Sequence, residues 1–216
     1  MIKIVDEAEC RRYRSDCSNT LREVCFKLKE KGISAQFTLV GSGARNMVTR
    51  NGNGPFDLDY NLEIIKAPDE YWNDLRHLKD TVRNLLDEAA GLQCFSESKD
   101  STSCLTSLLF FKNDPTVEFS FDVAIVTKNS YGALCRLIHN KSILGYKQGQ
   151  YVWNEIPHSR DVTIKVKKIK AAGLWLDVRN QYVKLKEMYL RRLDKDHPSF
   201  IVYIEAVNNV YNNYFE

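Results

Sequence analysis

The sequence predicts an α+β fold, and three observations carry that prediction. Runs with strand-like alternation fill much of residues 34–126. Helical periodicity takes over from about residue 160 and continues to the end. No regular strand–helix–strand repetition joins the two regions, so a sheet is expected in the first two thirds with helices segregated around it. The expected division is a core over residues 1–156 and a helical lobe over 157–216 packed on that core.

Residues 6–31 predict the first helix, because Cys17, Leu21, Val24, Cys25 and Leu28 recur at three- and four-residue spacing and Gly32 stands at the stop position. "SAQFTLVGSG" reads as a strand running into a glycine-rich turn, and "FDLDYNLEII" as a second strand. Residues 69–90 predict an amphipathic helix with acids in its first turn and Gly91 just beyond its end. Two further strands, "CLTSLLFFK" and "VEFSFDVAIVT", are separated by the turn signal "NDP". A hairpin around "KSILGYKQGQ" is expected within residues 131–156. Helices over 160–172, 174–193 and 199–215 follow, divided near Gly173 and at "DKDHPS".

Composition bounds the function. Of 216 residues, 44% are hydrophobic and 27% charged, which suits a folded domain with an appended lobe and excludes wholesale disorder. No apolar run approaches the roughly 20 residues that span a bilayer, and the charged N-terminal stretch lacks an apolar signal core, so a cytoplasmic protein is expected. The six cysteines form no C-x-x-C pair and read as reduced packing residues. The four histidines stand apart from other ligands, which argues against zinc. Net charge is only +3, yet residues 159–192 hold ten Lys/Arg against three acidic residues. Such a basic region suits an anionic partner, an RNA or a nucleotide, as well as a solvated helical face.

Alternation also defines the candidate site. Asp57, Asp59, Asn61 and Glu63 share one strand face, with Leu58, Tyr60, Leu62 and Ile64 on the other. The Cα atoms of Asp57 and Asp59 are expected ~6.6 Å apart, close enough for both carboxylates to face the same cations. The later strand places Glu118, Ser120 and Asp122 on its polar face. Glu118 and Asp122 are ~13 Å apart along the strand, so only one of them joins a site with the first pair. Gathered carboxylates repel unless a cation neutralises them, and hard oxygen donors suit Mg²⁺ or Mn²⁺. Gly41 and Gly43 permit close backbone approach to a phosphate, Ser42 adds a hydroxyl, and a helix beginning within 43–49 would favour the same anion. The stretch is neither a P-loop nor a dinucleotide fingerprint, and Asp57-x-Asp59-x-Asn61 lacks the turn glycine of a calcium loop.

With Val40-Gly41-Ser42, Asp57-Leu58-Asp59-Tyr60 and Phe121-Asp122-Val123 in this order, the sequence resembles the DNA polymerase β-type nucleotidyltransferase superfamily. The fifteen-residue spacer between Gly41 and Asp57 is closest to its oligoadenylate synthase and cyclic-dinucleotide synthase branch. The resemblance implies a nucleotidyltransferase-like mixed sheet flanked by helices. It implies Mg²⁺-dependent transfer of a nucleoside monophosphate from an NTP to an acceptor hydroxyl, with release of pyrophosphate. Asp57, Asp59 and Asp122 would then be catalytic and metal-binding, with Asp122 preferred over Glu118 by its flanking residues, and Gly41 and Ser42 would hold the triphosphate. Arg45 is a further phosphate candidate. Lys165, Lys167, Lys168, Lys170 and Lys184 are all candidates to reach the triphosphate, with Lys168 taken as the working choice. A small molecule or a nucleotide is favoured as acceptor. The alternative is a catalytically inactive nucleotidyltransferase-like module that binds nucleotides or RNA. Trp175, Tyr182 and Tyr189 are read as core rather than base-stacking groups.

Overall fold

The computed structural model describes the chain except residues 112–113, 144–148, 158–159 and 195–196, and the side chain of Arg160. In chain order the elements are β1 (Ile2–Ile4), α1 (Glu7–Glu30), β2 (Ser34–Val40), the short α2 (Gly41–Ala44) and β3 (Thr49–Asn51). Next come β4 (Phe56–Lys66), α3 (Asp69–Asn73), α4 (Leu75–Gly91) and β5 (Lys99–Asp100). The chain continues through β6 (Leu105–Phe110), β7 (Val117–Lys128), β8 (Leu134–His139) and β9 (Tyr151–Glu155), then closes with α5 (Arg160–Ala171), α6 (Trp175–Arg191) and α7 (Ser199–Phe215). The middle of "KSILGYKQGQ", the Asn of "NDP" and the central Lys-Asp of "DKDHPS" lie outside the described residues.

Two compact units result. One comprises residues 6–48 and 54–156, the other residues 1–5, 49–53 and 157–216. The larger unit holds a seven-stranded mixed sheet. Its order is β2-β4-β7-β6-β5, with β8 also on β7 and β9 on β8. β4 and β7 run parallel, and every other pairing is antiparallel. Leu58, Tyr60, Leu62 and Ile64 of β4 and Phe119, Phe121, Val123 and Ile125 of β7 are all buried, as alternation requires. Against this face lie the apolar sides of α1 and α4, including Leu21, Val24, Leu78, Val82 and Leu86, each with no exposed surface. Tyr13 of α1 stacks on Phe119 at 4.6 Å and meets Phe56 edge-on at 5.1 Å, closing one end of this core.

Local chemistry explains the boundaries. Asp6 caps α1 by accepting from the Ala8 and Glu9 amides at 2.9 and 3.2 Å. At the other end Gly32 takes φ +76°, and the Ile33 and Gly32 amides bond back to Leu28 O and Lys29 O at 2.9 and 3.0 Å. That is a Schellman stop, sealed by fully buried Leu28 and Ile33. The helix expected over 69–90 is divided at Asp74, whose backbone leaves the helical region and whose carboxylate accepts from the His77 amide at 2.9 Å. Gly91 is the last residue of α4 rather than the one beyond it. The sequence signal also missed β1, β3 and β5, of three, three and two residues, which are too short to display alternation.

In the smaller unit β1 and β3 pair antiparallel, and α6 and α7 pack on each other. Val178, Tyr182 and Leu185 of α6 are buried, as are Val202, Ala206, Val207 and Val210 of α7. Lys186 donates to Thr49 Oγ1 at 3.1 Å, joining α6 to β3. Tyr182 is a core residue as expected; Tyr189 stacks on His197 at 4.0 Å and donates to Glu205 at 2.8 Å. Trp175 has the Lys170 ammonium 4.6 Å from its ring centroid. No disulfide joins the six cysteines. Cys10, Cys17 and Cys135 are buried, Cys25 and Cys104 partly so, and Cys94 is exposed, against the expectation for a packing residue.

Candidate active site

The parallel pairing of β4 and β7 creates the site. Asp59 stands directly across from Asp122, and Asp57 across from Ser120. Opposed residues in a ladder point to the same face, so all three aspartates lie on the face opposite the apolar core. Asp57 is exposed, whereas Asp59 and Asp122 are partly buried.

On the other side of β4, Val40 of β2 pairs with Asp59, so the glycine-rich turn begins beside that carboxylate. Gly41 takes φ +60°, and a Cβ at this position would lie 2.1 Å from Asp59 Oδ2. Only glycine allows this backbone to pass beneath the carboxylate. Gly43 is fixed differently, since a Cβ there would meet Leu39 and Leu58 side chains at 2.9 Å. The helix after the turn is earlier and shorter than a helix within 43–49: Gly41–Ala44 itself forms α2. Its leading amides are those of Gly41, Ser42 and Gly43, the groups that a helix start leaves without an intrahelical acceptor. Ser42 O accepts from the Met47 and Arg45 amides at 3.0 and 3.2 Å, which closes the loop. Arg14 of α1 braces the turn, donating to Gly43 O at 2.7 Å and to Asn46 Oδ1 at 3.1 Å.

Electrostatics mark Asp59 as the centre. Its carboxyl is pushed up to about 6, first by burial and then by the negative charges of Asp57 and Asp122. Arg136 and Arg45 pull in the opposite direction without cancelling the rise. Asp122 is oriented by Thr106 of β6, its cross-strand neighbour, whose hydroxyl donates to Oδ1 at 2.5 Å. Glu118 is committed elsewhere: the buried Tyr13 hydroxyl donates to it, and burial, with that bond adding to it, raises the Tyr13 pKa. Asp122 is thus the β7 carboxylate that stands with Asp57 and Asp59.

Thr106, Arg14 and Arg136 were not legible as site residues. Nothing in their local sequence marks them, and only the register of β6 and β8 and the packing of α1 bring them near. Lys168 belongs to the smaller unit, where its ammonium donates to Tyr211 OH at 3.0 Å and Lys165 donates to Asn208 Oδ1 at 2.9 Å.

Among the described residues, no three His, Cys, Asp or Glu side chains are grouped closely enough to enclose a metal ion. The three aspartates are related as neighbours on one face, with Asp122 tied to Thr106 and mutual repulsion acting on the row. Their chemistry nevertheless fits a hard divalent cation. All donors are carboxylate oxygens, and the charges of Asp57 and Asp122 add to the effect of burial in raising Asp59.

No protein-family model and no curated protein sequence matches the chain. Solved structures do. CdnC from E. coli MS115-1 with ATP superposes with TM-score 0.58 at 17% identity, covering 100% of this chain and 63% of that one. The GTP-bound form of Vibrio cholerae DncV gives TM-score 0.54 at 14% identity over 98% of this chain and 53% of that one. Another DncV structure, described as a cyclic AMP-GMP synthase and a prokaryotic cGAS homolog, gives 0.51 at 9% identity, with coverages of 85% and 61%. The chain thus spans less than two thirds of each of these proteins. No helix among the described residues is long and apolar enough to cross a membrane. In its mixed sheet flanked by helices, the chain has the nucleotidyltransferase fold of these bacterial structures.

Proposed function

We propose that the protein is a nucleotidyltransferase that moves a nucleoside monophosphate from an NTP to an acceptor hydroxyl, releasing pyrophosphate. The observation that carries this reading is the parallel register of Asp59 with Asp122, with Asp57 on the same face and Gly41 beneath the Asp59 carboxylate. Neighbours of the same fold with ATP or GTP bound support an NTP as donor.

Each residue has a role in this reading. The amides of α2 and the Ser42 hydroxyl receive phosphate oxygens, and Arg14 keeps that turn in shape from behind. Arg45 adds positive charge on the same flank. Asp57, Asp59 and Asp122 would hold Mg²⁺ or Mn²⁺, which when bound would neutralise charge on the transferring phosphoryl group. Asp122, oriented by Thr106, accepts the acceptor's hydroxyl proton. A bond forms from the acceptor oxygen to the α-phosphorus as the bond to pyrophosphate breaks. Lys168 and its basic neighbours in residues 159–192 are proposed to meet the triphosphate or another polyanion. A small molecule or a nucleotide is the proposed acceptor, and the cytoplasm the proposed location.

The second reading, a nucleotide- or RNA-binding module without turnover, draws on that same basic region. The two are separated by incubating the protein with Mg²⁺ and each labelled NTP across a panel of acceptors. Transfer by the wild type and its loss in Asp57→Ala/Asp59→Ala supports the enzyme. Identical blank results for both proteins, with salt-sensitive RNA binding retained in the variant, would establish the module instead.

A further inference from the structure

The acidic face carries an arginine outside the glycine-turn and lysine candidates. Arg136 of β8 lies opposite Val126 of β7, and Val126 lies opposite Glu63 of β4. By strand alternation all three share the face of Asp59 and Asp122. Gly41, Ser42 and Arg45 flank that face from the β2 side; Arg136 flanks it from the other side of β7, in the row of Glu63 and Val126, four residues along the strands from Asp59 and Asp122, a span for a long side chain and an extended ligand rather than for a shared cation.

Two observations bear on Arg136. None of the ion pairs among the described residues includes it. Its Nε is shut away from solvent with no hydrogen-bond partner among the described residues, while the residue as a whole stays partly exposed. A buried donor without an acceptor is costly, and an acceptor supplied by a ligand removes the cost. Cations on two sides of a carboxylate row match a ligand with phosphate oxygens on both sides of that row.

We propose that Arg136 is a second phosphate-binding residue of this site, gripping a phosphate of the bound ligand through its forked guanidinium on the β8 flank, opposite Gly41–Arg45. The assignment rests on the nucleotidyl-transfer reading of the site. A fork of donors suits two phosphate oxygens at once, which a lysine's point charge does not reproduce.

Calorimetric titration with ATP, and separately with inorganic tripolyphosphate, in Mg²⁺-containing buffer tests the proposal. The proteins are the wild type, Arg136→Met, Arg136→Lys and, as control, Arg11→Met, which removes an exposed arginine paired with Glu7 on α1. Circular dichroism and the thermal midpoint report folding. We expect Arg136→Met to weaken both probes by about 10-fold or more, the scale of a lost charged hydrogen bond. Arg136→Lys should recover only part of the loss, and Arg11→Met should bind as wild type. Wild-type affinity in Arg136→Met overturns the proposal. Full recovery in Arg136→Lys also overturns it, since charge alone would then suffice. If Arg136→Met does not fold, the lysine variant decides by the same criterion. A wild type that binds neither probe overturns the nucleotide reading itself, and this assignment with it; binding unchanged by the Arg136 variants overturns this assignment alone.

Discussion

Asp59 is raised to about 6 because burial and two like-charged neighbours disfavour its ionised form. A carboxyl that holds its proton more tightly when folded favours the folded state below its ordinary value near 3.8, and that contribution is lost as pH rises through about 6. Asp59→Asn should therefore stabilise the metal-free protein at pH 7.5, raising the melting midpoint by about 2–4 °C for each kcal/mol of strain relieved. At pH 3.5 the gain should vanish, while transfer activity is lost at every pH. Melting curves in EDTA at the two pH values check this. Mg²⁺ should raise the wild-type midpoint at pH 7.5 and leave that of Asp57→Asn/Asp59→Asn unmoved. Gly41→Ala should abolish activity and cost at least 1 kcal/mol or so, since φ +60° and the 2.1 Å approach to Asp59 Oδ2 both oppose a side chain. At this scale the sequence was informative. Asp57, Asp59 and Asp122 were legible because period-two alternation exposes polar residues within apolar runs, and Gly41 because glycine before a polar turn signals backbone demand.

Elements were legible in proportion to their length. Long α1, β4 and β7 declared themselves through periodicity, whereas four-residue α2 and the three-residue pair β1–β3 offered too few positions for any period to show. The break at Asp74 was hidden because its capping carboxylate looks like one more polar residue on a helix surface. Register was the larger gap: the pairing brings together Asp59 and Asp122, 63 residues apart in the chain, and local pattern carries no information on such pairings. Thr106 follows from that register and gives an element-level prediction. Thr106→Val should lower kcat about 10-fold with little change in KM for the NTP, because the hydroxyl orients Asp122 rather than binding nucleotide. Steady-state kinetics with varied NTP distinguish this from a binding defect.

For the molecule as a whole, the α+β class and the mixed sheet were legible, and the structural neighbours share that fold. The smaller unit gathers residues 1–5 and 49–53 with 157–216, an arrangement no composition shift announces. Substrate choice was not legible, because carboxylates and a glycine turn set how a phosphate is handled while other surfaces select the acceptor. In the proposed function all the residues above serve one transfer chemistry, with a fixed stoichiometry. The measurement that addresses it most directly is the ratio of pyrophosphate released to nucleoside monophosphate transferred, with Mg²⁺ and each α-labelled NTP, in wild type and Asp57→Ala/Asp59→Ala. A ratio of one in the wild type, with both products absent in the variant, is the expected result. Orthophosphate in place of pyrophosphate, or the same yield from the variant, would contradict nucleotidyl transfer at this face.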